Sequence, residues 1–323
     1  MNLGKVGIIF TGGGFTGSFS VGVFEALWKA GIRPAHVQGI SVGTLNAAEV
    51  VETWSAEKLK KLWLDIERAR APSVFNWKDI PINVLKKSNA LFSNKGLLDI
   101  VKRIDVHKII QSPVELQIVT CNESAGKVLT TFSSHDPQFK ENPELLRSVI
   151  LASASIPGIL PPVTIKGEVH SDGICFCLEP MIQTGCDTIF LILNDQLTNE
   201  HGRWDERLFN MKHFLYEEVV SYKIKEFLKE YPDFELVNDD DSSSPNPFLP
   251  PIVKKIKVIG QQIRSMASSV VHGNDINFVP RRLVVVNPRT PISTLHVTGF
   301  EIGDIKAFIE QGCDQGSVIL KKL

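Results

Sequence analysis

The sequence has little that would mark a secreted, nucleic-acid-binding or metal-dependent protein. Its 323 residues include five cysteines, an odd number with no CxxC pair, which fits a reducing compartment better than a disulfide framework. The 35 basic and 36 acidic residues give a net charge of −1, so the broad positive field of a non-specific nucleic-acid binder is missing. We therefore expect no nucleic-acid partner and no metal site.

Uninterrupted hydrophobic runs are also missing. Residues 6–24 carry no charge but contain six glycines, and the uncharged residues 148–165 contain three prolines, so neither stretch favours an apolar spanning helix. No small-residue cleavage site follows the first stretch before Glu25. We predict neither a transmembrane segment nor a cleaved leader. Together with the cysteine content this favours a cytoplasmic protein, with peripheral membrane attachment and leaderless export left open.

Two strand–turn–helix units stand at the start of the chain. The first is an apolar strand at Val6–Phe10, a glycine turn and a helix at Phe19–Lys29; the second is a strand at His36–Ile40 and a helix at Val42–Val51. Such a repeat predicts an α/β fold with a parallel sheet and crossover helices. Later strands are predicted at Glu115–Cys121, Lys127–Phe132, Val163–Val169, Thr188–Leu193 and Arg282–Val286, and later helices at Pro143–Ala154 and Asp304–Gln311.

Residues 200–278 have a different character from the rest of the chain. A charged amphipathic run leads into the polar, proline-punctuated segment 238–247, which is typical of a flexible loop. We predict a core at 1–199, a helical or loop cap at 200–278, and a strand and helix at 279–323 that complete the core. Aromatic residues near Lys254 and Lys255 would suit contact with an anionic bilayer, and packing onto the core explains them equally well.

The segment Gly39-Ile40-Ser41-Val42-Gly43 is a GxSxG sequence between a predicted strand and a predicted helix. In that context the serine occupies a sharp turn, and its hydroxyl projects beside the positive end of the helix. An ordinary Gly/Ser turn is the alternative. The sequence thus predicts Ser41 as a candidate nucleophile.

The other early turn, Gly12-Gly13-Gly14-Phe15-Thr16-Gly17, can present several backbone N–H groups to an anion. It also satisfies GxGxxG, the dinucleotide fingerprint. That interpretation requires an acidic residue at the end of the next strand, yet no Asp or Glu lies between Glu25 and Glu49. No P-loop sequence is present either, so nucleotide binding loses its support.

A serine nucleophile needs a group that accepts its proton. Asp172-Gly173 follows a predicted hairpin strand, Glu168–Ser171, although Asp-Gly is also a common turn dipeptide. A Ser-Asp-His order would alternatively allow a histidine after Asp172, and nothing in their surroundings distinguishes the candidates His201, His213, His272 and His296.

Together these elements resemble the patatin-like phospholipase family, whose pattern is a GGGxxG turn, then GxSxG, then a distant Asp-Gly. Ala152–Pro157 and the following Pro161-Pro162 resemble the segment that precedes the family's aspartate. The resemblance implies a three-layer α/β/α fold with a mainly parallel central sheet, an acyl-lipid substrate, an acyl-enzyme intermediate and no cofactor. It implies Ser41 as nucleophile, Asp172 as proton acceptor, an oxyanion hole at Gly12, Gly13, Gly14 and Gly17, and motif-supporting glycines at Gly39, Gly43 and Gly173.

Two departures from the family pattern stand out. Thr16 occupies the position that is commonly Arg or Lys, and Ile174 follows Asp172-Gly173 where Gly or Ala is usual. Neither replaces the nucleophile, the acid or the loop glycines, so we expect hydrolysis to persist with a changed headgroup preference or turn geometry. An acyltransferase that uses the same acyl-enzyme and a non-catalytic lipid-binding protein remain alternatives, and the oligomeric state is not predicted.

Overall fold

The computed structural model describes residues 2–68, 75–76, 78–86, 88–195, 219–238, 279–289 and 301–323. Its strands are β1 Val6–Phe10, β2 His36–Ile40, β3 Glu115–Asn122, β4 Val128–Ser133, β5 Val163–Ile165, β6 Glu168–Asp172, β7 Thr188–Ile192, β8 Phe234–Val237 and β9 Arg281–Val286. A 3-10 turn at Gly14–Gly17 leads into helix α1, Ser18–Lys29. The other helices are α2 Val42–Thr53, α3 Ala56–Arg68, α4 Asp79–Leu85, α5 Lys95–Val101, α6 Val106–Gln111, α7 Pro137–Glu141, α8 Pro143–Ser153, α9 Glu179–Gln183, α10 at 219–230 and α11 Asp304–Leu320.

The nine strands of the described residues form one sheet in the order β5-β6-β3-β2-β1-β7-β9-β8, with β4 also paired to β3. The pairs from β3 through β2, β1, β7 and β9 to β8 are parallel, whereas β4, β5 and β6 join antiparallel at one end. The fold is therefore the predicted α/β class with a mostly parallel centre. Each strand predicted from the sequence is present, and Val163–Val169 is divided into β5 and β6 by a turn at Lys166-Gly167.

The central strands are buried on both faces, as expected of a parallel sheet covered by helices. Side chains alternate between two apolar clusters. Ile8 and Phe10 of β1 face the cluster that contains residues of α1, α2, α8 and α11, whereas Ile9 faces the cluster built on α9 and α10. Helices thus cover both sides of the sheet, and the result is a three-layer arrangement.

Helix α11 continues nine residues beyond the predicted end at Gln311. Gly312 directly follows the predicted end, and it is one of the points where α11 touches α1. A Cβ on Gly312 would collide with the carbonyl oxygen of Phe19, and a Cβ on Gly22 of α1 would collide with that of Ile309. The glycine therefore serves close helix packing in the middle of α11 and does not end it.

Residues 219–237 fall within the range predicted as a cap, 200–278. Helix α10 packs on the sheet through Val220, Ile224 and Phe227, and β8 pairs with β9 at the sheet edge. These residues extend the core because β8 supplies an apolar edge strand. The remaining parts of the cap, residues 200–218 and 239–278 with most of the predicted flexible segment 238–247, lie outside the described residues, as do Lys254 and Lys255.

Within the described ranges, no helix combines the length and the hydrophobicity that a membrane crossing requires. The five cysteines, all within these ranges, are free thiols.

The α1–α11 contact can be tested with Gly22→Ala. Alanine favours an isolated helix by about 1 kcal/mol, yet here its methyl group would enter the Ile309 carbonyl, so we expect a loss of about 3 kcal/mol or more in the free energy of unfolding. Urea titration measures this loss. Gly185→Ala is the control, because its φ of +77° is unfavourable but a Cβ there meets nothing within 4 Å, so it should cost only about 1 kcal/mol. Equal losses in the two variants would contradict the contact.

Candidate active site

Strand register places Ser41 and Asp172 at neighbouring strand ends beside β3. Ile40, the last residue of β2, pairs with Val119 of β3, and the next β3 residue, Thr120, pairs with Asp172 at the end of β6. Strand β4 occupies the other edge of β3 across both positions. Strands β2 and β6 therefore meet end to end along one edge of β3. Ser41 follows directly after β2, at the point where Asp172 ends β6.

Ser41 occupies the sharp turn predicted from GxSxG. Its φ of 57° and ψ of −132° lie in a region that non-glycine residues rarely adopt, which costs about 1–3 kcal/mol and is typical of functional turns. It precedes the first residue of α2, so its side chain lies at the positive end of that helix. The turn is this tight because α2 approaches β1 closely: a Cβ on Gly43 would enter the Phe10 carbonyl, and one on Gly39 would meet the backbone of Thr44.

The glycine loop lies directly against Ser41. A Cβ on Gly12 would be 3.0 Å from Ser41 Cβ and 3.5 Å from its Oγ, so only glycine allows this approach. Gly13 and Gly14 adopt φ values of +146° and +61°. Within the described residues, the N–H groups of Gly12 and Gly13 donate to no acceptor. The loop that contacts Ser41 through Gly12 thus carries free backbone donors, and such donors can bind an oxyanion.

Gly17 occupies a different position from the other three loop glycines. A Cβ there would lie 2.7 Å from a methyl carbon of Val42, and the Gly17 carbonyl accepts a hydrogen bond from Asn46 Nδ2 at 3.0 Å. This glycine therefore allows the 3-10 turn to pack against α2. The contacts of Gly17 with α2 are packing contacts, and they explain why a glycine is needed at this position.

One short segment at the C-terminal end of α8 holds both candidate residues. The Ser153 hydroxyl donates to the Val119 carbonyl at 2.7 Å and accepts from the Ser41 backbone N–H at 3.2 Å. It also lies 2.7 Å from the Thr44 hydroxyl. Two residues later, the Ser155 carbonyl accepts the backbone N–H of Asp172 at 2.9 Å. The sequence matched this Ala152–Pro157 segment to the family pattern but did not reveal that it positions both strand ends.

Asp172 is 3% exposed, and its carboxylate is held by its own turn. Oδ1 accepts the N–H of Ile174 at 2.8 Å, while Gly173 passes so close to β3 that a Cβ would lie 2.8 Å from the Val119 carbonyl oxygen. Ile174 has φ of +59°, which is strained for a β-branched residue, and its side chain is 62% exposed. The departure at position 174 therefore produces a strained turn beside the candidate acid.

Among the described residues, no histidine forms a hydrogen bond with Ser41. His170 lies on the same face of β6 as Asp172, where its Nδ1 is 3.0 Å from the Thr120 hydroxyl, and burial lowers the pKa of its ring. The neutral ring is thus favoured there. The alternative candidates His201, His213, His272 and His296 lie outside the described residues.

An apolar pocket opens at Ser41. Beside Ser41 and Gly14 it is lined by hydrocarbon and aromatic side chains: Phe15, Val42, Leu45, Leu62, Trp63, Ile66, Phe75, Leu97, Ile100, Ala154, Ile156 and Leu160. Helix α3, which was not predicted, supplies three of them. Its apolar residues at 59, 62, 63 and 66 follow the spacing of a helix face, so this signal was available in the sequence.

Comparison with known families places the part of the chain that contains Ser41, Asp172 and the glycine loop in one family match. The family model described as "Patatin-like phospholipase" matches residues 8–176, which is 169 of the 323 residues. The chain belongs to the patatin-like phospholipase family. A curated relative, triacylglycerol lipase 4 of Saccharomyces cerevisiae, is 27% identical over 173 residues; the match covers 50% of this chain and 18% of the yeast protein. The chain thus spans only a minor part of that relative.

Two solved structures align over nearly the whole chain. The crystal structure of VipD from Legionella pneumophila has a TM-score of 0.46 and 13% identity, covering 98% of this chain and 67% of that one. Human group IVD cytosolic phospholipase A2, in complex with methyl γ-linolenyl fluorophosphonate, has a TM-score of 0.43 and 11% identity, covering 99% and 58%. The assignment to the family depends on the sequence match and not on these alignments.

The anchoring role of Ser153 can be tested with Ser153→Ala. The change leaves the Ser41 N–H and the Thr44 hydroxyl buried without their partner, so we expect the free energy of unfolding to fall by about 2–3 kcal/mol. Ser155→Ala is a matched control: it removes an equally buried hydroxyl, two residues beyond the end of α8, that bonds only the Leu151 carbonyl of that helix, and should cost about 1 kcal/mol. Chemical denaturation compares the two, and a larger loss in Ser155→Ala would argue against the anchor.

Proposed function

We propose that this chain is a serine acyl hydrolase that cleaves ester bonds of phospholipids, lysophospholipids or related acyl lipids. The observation that carries the proposal is the meeting of β2 and β6 on one edge of β3, which brings the Ser41 turn and Asp172 together. A carboxylate beside a strained, helix-capping serine is suited to accept the hydroxyl proton. The family membership and the lipase relative support the same reaction class.

The proposed reaction has two halves. Asp172 accepts the proton of Ser41 while Oγ attacks the ester carbonyl, and the N–H groups of Gly12, Gly13 and Gly14 bind the oxyanion. The C–O bond to the alcohol then breaks, the alcohol leaves with the proton from Asp172, and the acyl group stays on Ser41. In the second half a water gives a proton to Asp172 and attacks the acyl-enzyme; the bond between the acyl carbon and Ser41 Oγ then breaks, the proton on Asp172 returns to Oγ, and the fatty acid is released. No histidine or cofactor enters either half.

The pocket supports an acyl substrate. Apart from Ser41 and Gly14 its walls carry only apolar side chains, and it begins at the nucleophile, so a hydrocarbon chain attached to the reacting carbonyl would leave water for this space. Each buried methylene contributes about 0.8 kcal/mol, so a chain of several carbons gains enough to favour long acyl esters.

Replacement of either proposed catalytic residue should nearly abolish turnover. In Ser41→Ala the nucleophile is absent, and in Asp172→Asn the proton acceptor is absent, so we expect kcat/KM for a short nitrophenyl ester to fall by about 10²–10⁴. A fluorophosphonate probe should label the wild type, fail to label Ser41→Ala and label Asp172→Asn slowly. Circular dichroism and thermal unfolding control for folding. Wild-type rates in a folded Ser41→Ala protein would refute the mechanism, and transfer of the acyl group to an added alcohol in preference to water would favour the acyltransferase alternative.

The pocket can be tested separately with Ala154→Leu, which places a larger side chain in its wall. Loss of space for about two methylenes should lower kcat/KM for long-chain nitrophenyl esters by about tenfold, while the butyrate ester should change little. The exposed turn variant Ala125→Leu adds the same side chain away from the pocket and should leave the chain-length profile unchanged. A uniform loss across all chain lengths in Ala154→Leu would contradict an acyl site.

A further inference from the structure

Asn194 is a buried polar residue that no motif predicted. It lies two residues beyond the end of β7, next to the end of β1, and is 1% exposed. Its Nδ2 donates to the Thr11 carbonyl at 2.8 Å and to the Gly12 carbonyl at 3.2 Å. The side chain therefore holds the first two peptide groups of the glycine loop.

Thr16 holds the next peptide group. Its hydroxyl donates to the Gly13 carbonyl at 2.8 Å, and its backbone N–H reaches the same oxygen at 3.3 Å. The side chain is 5% exposed and folds back under the loop. Where the family commonly has a basic residue, this chain thus has a short hydroxyl that bonds the loop from within.

The carbonyl contacts fix where the loop's N–H groups point. In a trans peptide plane the C=O and the N–H of the next residue point in opposite directions. Three successive carbonyls, those of Thr11, Gly12 and Gly13, are drawn toward Asn194 and Thr16, so the N–H groups of Gly12, Gly13 and Gly14 are turned the other way. The described residues offer the first two of these N–H groups no acceptor, and Gly12 lies against Ser41.

We propose that Asn194 and Thr16 are positioning residues that set the direction of the oxyanion-binding N–H groups. This inference rests on the proposed function, because the N–H groups matter to catalysis only if Ser41 attacks an ester. Neither side chain contacts the reacting atoms; each acts through the loop carbonyls.

Position 194 requires a hydrogen-bond donor. Two carbonyl oxygens face it, and carbonyls can only accept, so the amide must direct its nitrogen toward them. Its Oδ1 has no partner among the described residues, which is consistent with this orientation. An aspartate has nearly the same shape but presents only acceptors, so Asn194→Asp would replace two attractive contacts with repulsion.

The experiment compares Asn194→Asp, Thr16→Val and Thr16→Ser with Thr188→Val. Thr188 is the matched control, since it is a fully buried threonine at the opposite end of β7 whose hydroxyl also donates to a backbone carbonyl, that of Leu3 at 2.7 Å. Kinetics on a short soluble nitrophenyl ester and hydrogen–deuterium exchange over residues 11–17 are measured for each. Thr16→Val keeps the test valid if Asn194→Asp does not fold.

We expect kcat to fall by about 10² in Asn194→Asp and about tenfold in Thr16→Val, with KM changed less than about threefold. Exchange over residues 11–17 should become faster in both variants. Thr16→Ser should keep the wild-type kcat and loop exchange. Thr188→Val should also keep both, while its free energy of unfolding falls by about as much as that of Thr16→Val.

Unchanged loop exchange in Asn194→Asp and Thr16→Val would overturn the proposal. So would faster exchange with kcat retained, or a rise in KM alone. If the wild type hydrolyses no ester but exchange responds as expected, the proposed function fails while the structural role of Asn194 and Thr16 stands. The two failures are therefore distinguishable.

Discussion

The site depends on which strands pair with each edge of β3. One edge is taken by β4, and the other is divided between β2, which runs parallel to it, and β6, which runs antiparallel. The division falls between Val119 and Thr120, and this single point determines that the turn after β2 and the end of β6 meet. A register shift of one residue in either pair would turn the side chains to the opposite faces of the sheet. The constellation is thus a consequence of strand pairing first and of side-chain contacts second.

Several parts of this arrangement were predictable from the sequence because their signals are local. An apolar run before the glycine turn predicted β1, and the repeat of that strand–turn–helix unit predicted β2. GxSxG between a strand and a helix predicted the sharp turn at Ser41. The glycine loop was recognisable from its run of glycines, because residues without side chains allow the backbone to approach a neighbouring segment closely. These features depend on a few neighbouring residues, and neighbouring residues are what a single sequence shows.

The rest depends on contacts between distant segments, which a single sequence does not show. Ser153, Asn194 and the pocket residue Trp63 act through partners far along the chain. The predicted end of α11 at Gln311 is wrong for the same reason: a glycine that ends a helix and one that admits a neighbouring helix, as Gly312 does, look identical until the neighbour is known. Strand β8 was missed because its four residues follow a charged run and, among the described residues, pair only with β9.

The contact between α1 and α11 has a consequence for synthesis. Helix α1 follows directly from the glycine loop, and the helix that fits against it at Gly22 begins 275 positions after α1 ends. At translation rates of 5–20 residues per second, α1 emerges roughly 15–60 s before that partner. During this interval the apolar face of α1 on the nascent chain is not covered by its partner helix. The newly synthesised segment around α1 is therefore a binding target for chaperones at the ribosome exit.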